Sequence, residues 1–335
     1  MRSDIFHEMR EENEMKPKLL SFVIPCYRSE HTIEMVYREI VKTVAERPEY
    51  TYEIIAVNDC SPDSVLMVLN KLAHEDLKFK VVDLVKNRGK HAAVLAGYAY
   101  VHGEYVVNLD DDYQSPVKNL WQLMEPLESG EYDVATAKYN KKKESAWKRF
   151  GSNVNLLVSE IMLDKPKGMR FENFSVIKRF VANEVIRYNN PYPFLEGLIL
   201  RVTNRIISVP MDERNRGDDK GTGFTFWKSL SLFANGFTNF SVKPLRISLV
   251  IGIVFAFLGF CYGIYVVIRK IMLPETPMGW SSIMAVNLFS SGIIMLLLGV
   301  IGEYVGRIFI CINDAPQYVV RNTINIDTEE VTIDE

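Results

Sequence analysis

Asn108-Leu109-Asp110-Asp111-Asp112-Tyr113-Gln114-Ser115-Pro116 is the stretch on which the reading of this chain turns. An apolar run, Tyr105-Val106-Val107, leads into it and reads as a buried strand, and Val117 to Leu127 follows with helical spacing. Three adjacent carboxylates at a strand end repel one another unless a cation neutralises them. Such oxygen ligands suit a hard divalent ion, Mg2+ or Mn2+, which keeps several waters and completes its shell with a substrate's phosphates. Asp110 and Asp112, two residues apart, could both reach one ion in a tight turn, with Gln114 adding an amide oxygen. A solvated acidic turn capping the next helix is the competing reading.

Upstream, short β-branched runs alternate with amphipathic stretches. Leu20 to Ile24 ends at Pro25, and Thr32 to Ala45 follows with apolar residues at Ile33, Val36, Ile40 and Val44. Tyr52 to Val57 ends at Asn58-Asp59, and a helical Ser64 to His74 comes next. Phe79 to Val85 ends at Lys86-Asn87-Arg88-Gly89, followed by the Ala-rich Lys90 to Val101, and Tyr132 to Ala137 reads as a fifth strand. This alternation predicts an α/β fold, a mostly parallel sheet with helices on both faces. Ligands of such sheets collect at the carboxyl ends of the strands, where four polar clusters converge here and point to a nucleotide site. Neither a Walker A sequence nor G-x-G-x-x-G is present.

The chain of 335 residues is 48% apolar and carries a net charge of −3, which argues against a nucleic-acid binder. Its four cysteines show no metal or disulfide spacing. Met1 to Lys18 is charged, has no signal-peptide core and reads as a flexible lead-in. Ile247 to Ile268 and Ser281 to Gly302 are each free of charge and, at about 1.5 Å per residue, each reaches about 33 Å, enough for a bilayer core. The short loop between them, Arg269 to Trp280, holds Pro274 and Pro277, as a two-helix transmembrane hairpin would.

From Lys138 the chain turns basic, with Lys141-Lys142-Lys143 and Lys148-Arg149. Ser152 to Met162 and the aromatic Phe224 to Phe240 are amphipathic. The second runs directly towards the first span and predicts a helix lying in the lipid interface. The tail, Asn322 to Glu335, is acidic with β-type alternation and could pair with a partner subunit or stay loose. The expected domains are a lead-in (1–18), a cytosolic catalytic domain (19–223), an interfacial helix (224–246), the hairpin (247–302) and a cytosolic tail (303–335). Gly252, Gly259 and Gly263 offer a close-packing stripe for a homo-oligomer, a tetramer among the possible arrangements, or for packing the two spans together.

Taken in order, the motifs carry a family resemblance over about residues 19 to 320. They are Val23-Ile24-Pro25-Cys26-Tyr27, Val57 to Asp63, Asn87-Arg88-Gly89-Lys90-His91-Ala92-Ala93, Asp110 to Pro116, Asn239 to Arg246 and Gly302 to Arg307. The chain resembles the family 2 glycosyltransferases of the GT-A fold, and among them the membrane-anchored polyprenyl-phosphate glycosyltransferases. The resemblance implies inverting transfer of a sugar from a nucleotide sugar, expected to be a UDP-sugar, to a polyprenyl phosphate such as undecaprenyl phosphate. The expected setting is the inner (plasma) membrane, with the catalytic domain in the cytosol, in the service of cell-envelope chemistry. Asp110 and Asp112 match the metal-binding Asp-x-Asp, with Gln114 near the ion and Mg2+ or Mn2+ as cofactor. Pro25, Tyr27 and Asp59 sit where the family holds the nucleoside, and Asp111 and Lys90 belong to the donor site. Lys138, Arg149 and Arg216 correspond to cationic positions for the diphosphate and the lipid phosphate, and Asp112 and Arg216 count as catalytic.

A phosphate monoester with a second pKa of about 6 is largely ionised at neutral pH, so a strong general base is less necessary than for an alcohol acceptor. Glu196 and Glu172 are the candidates for one, Glu196 being favoured because it lies among apolar residues. Asn58 stands where the family often has an aspartate. Glu172-Asn173-Phe174-Ser175 departs from the family's pattern, and around Arg216 one residue is inserted, with Arg214 the alternative if the register shifts. A processive polysaccharide synthase would need more spans and a Gln-x-x-Arg-Trp signature, and an inactive scaffold would lack the metal carboxylates.

Overall fold

The structure is a computed structural model, and it describes residues 17–139, 171–191, 193–212, 243–272, 279–312 and 316–326. The chain divides into two compact units, 1–223 with 316–335, and 224–315.

The first unit is built on an eight-stranded sheet, β1 (Lys18–Cys26), β2 (Tyr50–Asn58), β3 (Phe79–Leu84), β4 (Tyr105–Asn108), β5 (Val134–Tyr139), β6 (Ser175–Lys178), β7 (Ile206–Met211) and β8 (Val320–Ile324), in the order β7-β5-β6-β4-β1-β2-β3-β8. Strands β3, β2, β1 and β4 form a parallel centre. All nine residues of β1 except the first two are buried, as expected of a strand covered on both faces. Helices α1 (Ile33–Ala45), α2 (Val65–Glu75) and α4 (Leu120–Glu128) pack on one face, where Phe22, Ile24, Ile54 and Val107 join their apolar sides in a single core. The opposite face is covered by α3 (Lys90–Tyr98), which comes so close that a methyl group on Gly97 would stand 2.5 Å from Val23 Cγ1 and 3.1 Å from Val57 Cγ2. Helices α5 (Arg179–Ile186) and α6 (Leu195–Val202) complete this unit among the described residues. The expected α/β architecture with helices on both faces is therefore present.

Two details differ from the sequence reading. The fifth strand does not extend the parallel run, because β6 lies between it and β4, antiparallel to both. The C-terminal segment pairs within its own chain: β8 runs antiparallel to β3, with Val81 opposite Ile324 and Thr323 opposite Val82. Buried Gln317 anchors its approach by donating to the carbonyls of Tyr188 (3.3 Å) and Asn190 (2.9 Å). Asn325, with φ of +59°, closes the strand by donating from its amide to the carbonyls of Ala73 (2.6 Å) and Phe79 (2.9 Å). An asparagine tolerates that left-handed backbone better than most residues.

The second unit holds α7 (Lys243–Met272) and α8 (Trp280–Ile312). The second helix runs on to Ile312, past the Gly302 end expected for the span. It contains a stretch long and apolar enough to cross a membrane, Phe289–Gly306, whereas α7 has a shorter apolar stretch, Gly252–Tyr265. Large apolar side chains point outward from both, among them Phe257, Phe260, Met295 and Phe309. Phe255 and Phe289 meet with ring centroids 5.7 Å apart. A methyl group on Gly259 or Gly263 would meet nothing within 4 Å, so among the described residues these glycines do not make the contact between the two helices. The helices expected at Ser152 to Met162 and Phe224 to Phe240 lie outside the described residues.

Candidate active site

The four loops that leave β1, β2, β3 and β4 at their carboxyl ends are tied to one another by hydrogen bonds. Three of them contain a non-glycine residue in the left-handed region: Arg28 (φ +59°), Cys60 (φ +49°) and Tyr113 (φ +59°). Such backbone costs about 1–3 kcal/mol at each position and persists where the surroundings impose it.

The surroundings are explicit. The Tyr27 N–H donates to the Asp111 carboxylate (2.9 Å), and the Thr32 hydroxyl to the Asp111 carbonyl (2.5 Å), joining the ends of β1 and β4. The Arg28 N–H donates to Ser61 Oγ (2.8 Å), joining β1 to β2. The Asp59 carboxylate accepts the N–H groups of Arg88 (2.7 Å) and Gly89 (2.9 Å), joining β2 to the loop after β3. Burial raises the Asp59 pKa above the ordinary carboxylate value, against those two amide hydrogen bonds. Burial, reinforced by its charged neighbours Asp110 and Asp112, pushes Asp111 up to about 6.

The Asp-x-Asp pair sits at this edge. Asp110 is engaged on both carboxylate oxygens, by the Lys90 ammonium on Oδ1 and by the Asn173 amide on Oδ2. Asp112 Oδ1 accepts the Gln114 N–H (3.0 Å) across the left-handed Tyr113. Among the described residues no group of three or more His, Cys, Asp or Glu forms a metal cage. Two carboxylates without a cage fit a divalent cation that takes its remaining ligands from water and a diphosphate, the usual habit of Mg2+.

Pro25, Lys90, Asp110, Glu172, Asn173 and Glu196 are among the residues that line one cavity. Glu196 reaches it from the first turn of α6, so the favoured base candidate does stand beside the carboxylate edge. Tyr27 is exposed, and the Arg28 guanidinium lies 5.4 Å from its ring centroid, leaving an aromatic surface at the end of β1. Lys138 is exposed on β5 and is not among the lining residues of the cavity. Arg149, Arg214 and Arg216 lie outside the described residues.

Two residues quoted in the sequence motifs but given no role lie at the candidate site. Asn173 holds Asp110, and His91 lines the cavity beside Lys90. Burial lowers the His91 pKa to about 4, so the ring is neutral at pH 7, and its Nδ1 faces the Leu195 N–H at 3.5 Å while its ring meets Phe194 edge-on at 5.4 Å. A histidine following a lysine in an apolar helix gives no sign of this in the sequence. Cys26, by contrast, is buried, and burial pushes its thiol well above its usual pKa, away from the reactive thiolate.

The mostly parallel sheet, with carboxylates, a lysine and an exposed tyrosine gathered at one edge, is a GT-A-like α/β fold. The chain belongs to glycosyl transferase family 2, which it matches over residues 21–186, and residues 243–308 match the GtrB C-terminal hairpin. It is a glycosyltransferase. It is 32% identical to the uncharacterized glycosyltransferase YkcC of Bacillus subtilis, over 94% of this chain and 97% of that relative. It is 28% identical to a prophage bactoprenol glucosyl transferase homolog of Escherichia coli, over 90% of this chain and 98% of that protein. It is also similar in fold to a crystal structure of glucosyl-3-phosphoglycerate synthase from Mycobacterium tuberculosis in complex with Mn2+, UDP-glucose and phosphoglyceric acid, with a TM-score of 0.44 and 19% identity over 65% of this chain and 79% of that one.

Proposed function

We propose that this glycosyltransferase moves a single sugar, with inversion, from a UDP-sugar to a polyprenyl phosphate at the cytosolic face of the plasma membrane. The observation that carries the reading is Asp110, the first carboxylate of the Asp110-x-Asp112 pair, lining one cavity with Lys90 and Glu196, in a chain that also carries an apolar helical hairpin. Relatives over nearly the whole length are named bactoprenol glucosyl transferases, which supports a polyprenyl phosphate as acceptor. The hairpin is read as two spans, the α7 stretch being the shorter.

Asp110 and Asp112, with Gln114 near them, would hold Mg2+ or Mn2+. When bound, the cation neutralises the diphosphate and the charge that develops on it as it leaves. Tyr27 offers a face for the base, while Pro25, Asp59 and Asp111 hold the loops around the nucleoside. An oxygen of the acceptor phosphate attacks the anomeric carbon. A new carbon–oxygen bond forms as the bond to the donor's β-phosphate breaks, and the electron pair departs with the nucleoside diphosphate. The ionised acceptor has no proton to lose, so Glu196 contributes by orienting the sugar and excluding wrong poses more than by accepting a proton. Arg149, Arg216 and Lys138 are proposed to meet the acceptor phosphate near the membrane surface.

The test is transfer from a panel of radiolabelled UDP- and GDP-sugars to undecaprenyl phosphate in detergent, with and without Mn2+. One donor is expected to label the lipid with one sugar per phosphate, dependent on the metal. Labelling by no donor, or polymer growth on the lipid, would sink the proposal.

A further inference from the structure

We infer that Lys90 serves two partners in turn, holding Asp110 as its counter-ion and then moving to the donor's diphosphate when a divalent cation takes Asp110. This rests on the proposed donor site and adds to it an order of exchange within the site.

The geometry forces a choice on Lys90. Its ammonium contacts Asp110 Oδ1, and the amide of Asn173 contacts Oδ2, so both oxygens of a metal-site carboxylate already face donors. The Asn173 contact is neutral and leaves a lone pair free on Oδ2. The Lys90 contact is cationic, and an ammonium in touch with that carboxylate opposes a divalent ion at the same oxygens. Lys90 is built to leave. It is the first residue of α3, its base is fixed because the Gly89 N–H is held by Asp59, and its side chain is 37% exposed, against 19% for Asp110. A compact charge on a flexible four-carbon stem can swing from a fixed base without moving the helix. The place it swings to lies in the cavity it already lines, where the diphosphate would bring two phosphates' charge within reach. With Lys90 on the diphosphate, its charge adds to that of the cation on the leaving group. With Lys90 on Asp110, its charge blocks the cation, so cation and donor favour each other's binding.

The experiment uses the full chain in detergent and reads binding, not turnover. Mn2+ affinity is measured by the free-ion spin-resonance signal with no nucleotide present, and UDP affinity by calorimetry with Mn2+ saturating, for wild type, Lys90→Met, Lys90→Gln and Lys90→Arg. Removing the charge is expected to tighten Mn2+ binding roughly tenfold and to weaken UDP binding by about as much, opposite changes of the size usual for coupled sites. Lys90→Arg is expected to stay near wild type for Mn2+. The neutral glutamine variant keeps the test open should the methionine variant fold poorly. Unchanged or weaker Mn2+ binding in the neutral variants, with UDP binding lost, makes Lys90 a plain diphosphate ligand and overturns the exchange while leaving the transferase reading standing. Absence of any Mn2+–UDP binding by the wild type overturns both.

Discussion

The backbone N–H of Tyr27 donates to the side-chain carboxylate of Asp111 across 2.9 Å, binding the end of the first strand to the middle of the acidic triplet. The middle aspartate is therefore turned inward, while its neighbours on either side are left to the cavity and the turn. Asp111→Asn keeps an acceptor for that amide and is expected to bind UDP within about threefold of wild type. Asp111→Ala removes the acceptor that ties the ends of β1 and β4 together and is expected to weaken UDP binding about tenfold. Calorimetric titration of UDP in Mn2+ compares the two, and equal losses would remove Asp111 from the loop clamp.

Asp110 and Asp112 carry the metal dependence in the proposed reaction. Asp110→Asn and Asp112→Asn are each expected to cut lipid labelling by about 100-fold or more, the scale of losing one electrostatic stabiliser of the transition state. Chelation should abolish wild-type transfer and added Mn2+ should restore it. A variant that keeps most of its activity would show that its carboxylate belongs to the turn alone.

His91 makes the fold acid-sensitive. Its pKa falls from about 6.5 when exposed to about 4 in the folded chain, because burial disfavours the imidazolium. Between those values the unfolded chain binds the extra proton and the folded chain does not, so stability falls as pH drops from about 6.5 to 4. The group's share is at most about 3 kcal/mol. Urea unfolding at pH 7.5 and pH 5 should show a steeper loss for wild type than for His91→Asn, and parallel losses would mean the imidazole is solvated.

The parallel centre of the sheet was legible because each strand is a short apolar run followed by a polar cluster and an amphipathic helix, a pattern few other folds satisfy. Strands β5 to β7 were harder to read. β6 is only four residues long, Ser-Val-Ile-Lys, and passes directly into α5 with no punctuating turn. The tail's alternation was visible, but alternation does not name the edge a strand pairs with, and its partner β3 lies more than 200 residues upstream. Within the site, residue types that advertise chemistry, such as Asp110, Asp112 and Lys90, could be picked out. Asn173 and His91 act through position, and position is set by loops whose course the sequence does not show.

Removing residues 316–335 would expose the edge of β3, which β8 covers with an antiparallel ladder and which Val319 extends by accepting the Val85 N–H at 2.9 Å. An unpaired edge next to a central strand is an aggregation template. The truncated chain is expected to melt about 5 °C lower or more, and to elute from size exclusion as larger, polydisperse species. An unchanged melting point and profile would mean the tail is a loose appendage.

Asn58 explains one departure from the family's pattern, and the explanation can be tested by exchange. Its amide donates to Asp83 Oδ1 at 2.7 Å, its carbonyl oxygen accepts the Ser61 N–H at 3.1 Å, and both Asn58 and Asp83 are buried. The arginine of the C-terminal strand, Arg321, reaches the other Asp83 oxygen at 3.5 Å. A second carboxylate at position 58 would replace the amide that donates to Asp83 Oδ1 and set two buried carboxylates face to face, so Asn58→Asp is expected to destabilise the fold by about 2–4 kcal/mol. The double variant Asn58→Asp with Asp83→Asn restores one donor and one acceptor in reversed order and should recover most of that loss. Chemical denaturation of the four proteins gives the coupling directly. Additive losses would show that the pair is not held together by this hydrogen bond, and recovery would show that asparagine is the residue this chain needs at the end of β2 because it has an aspartate at the end of β3.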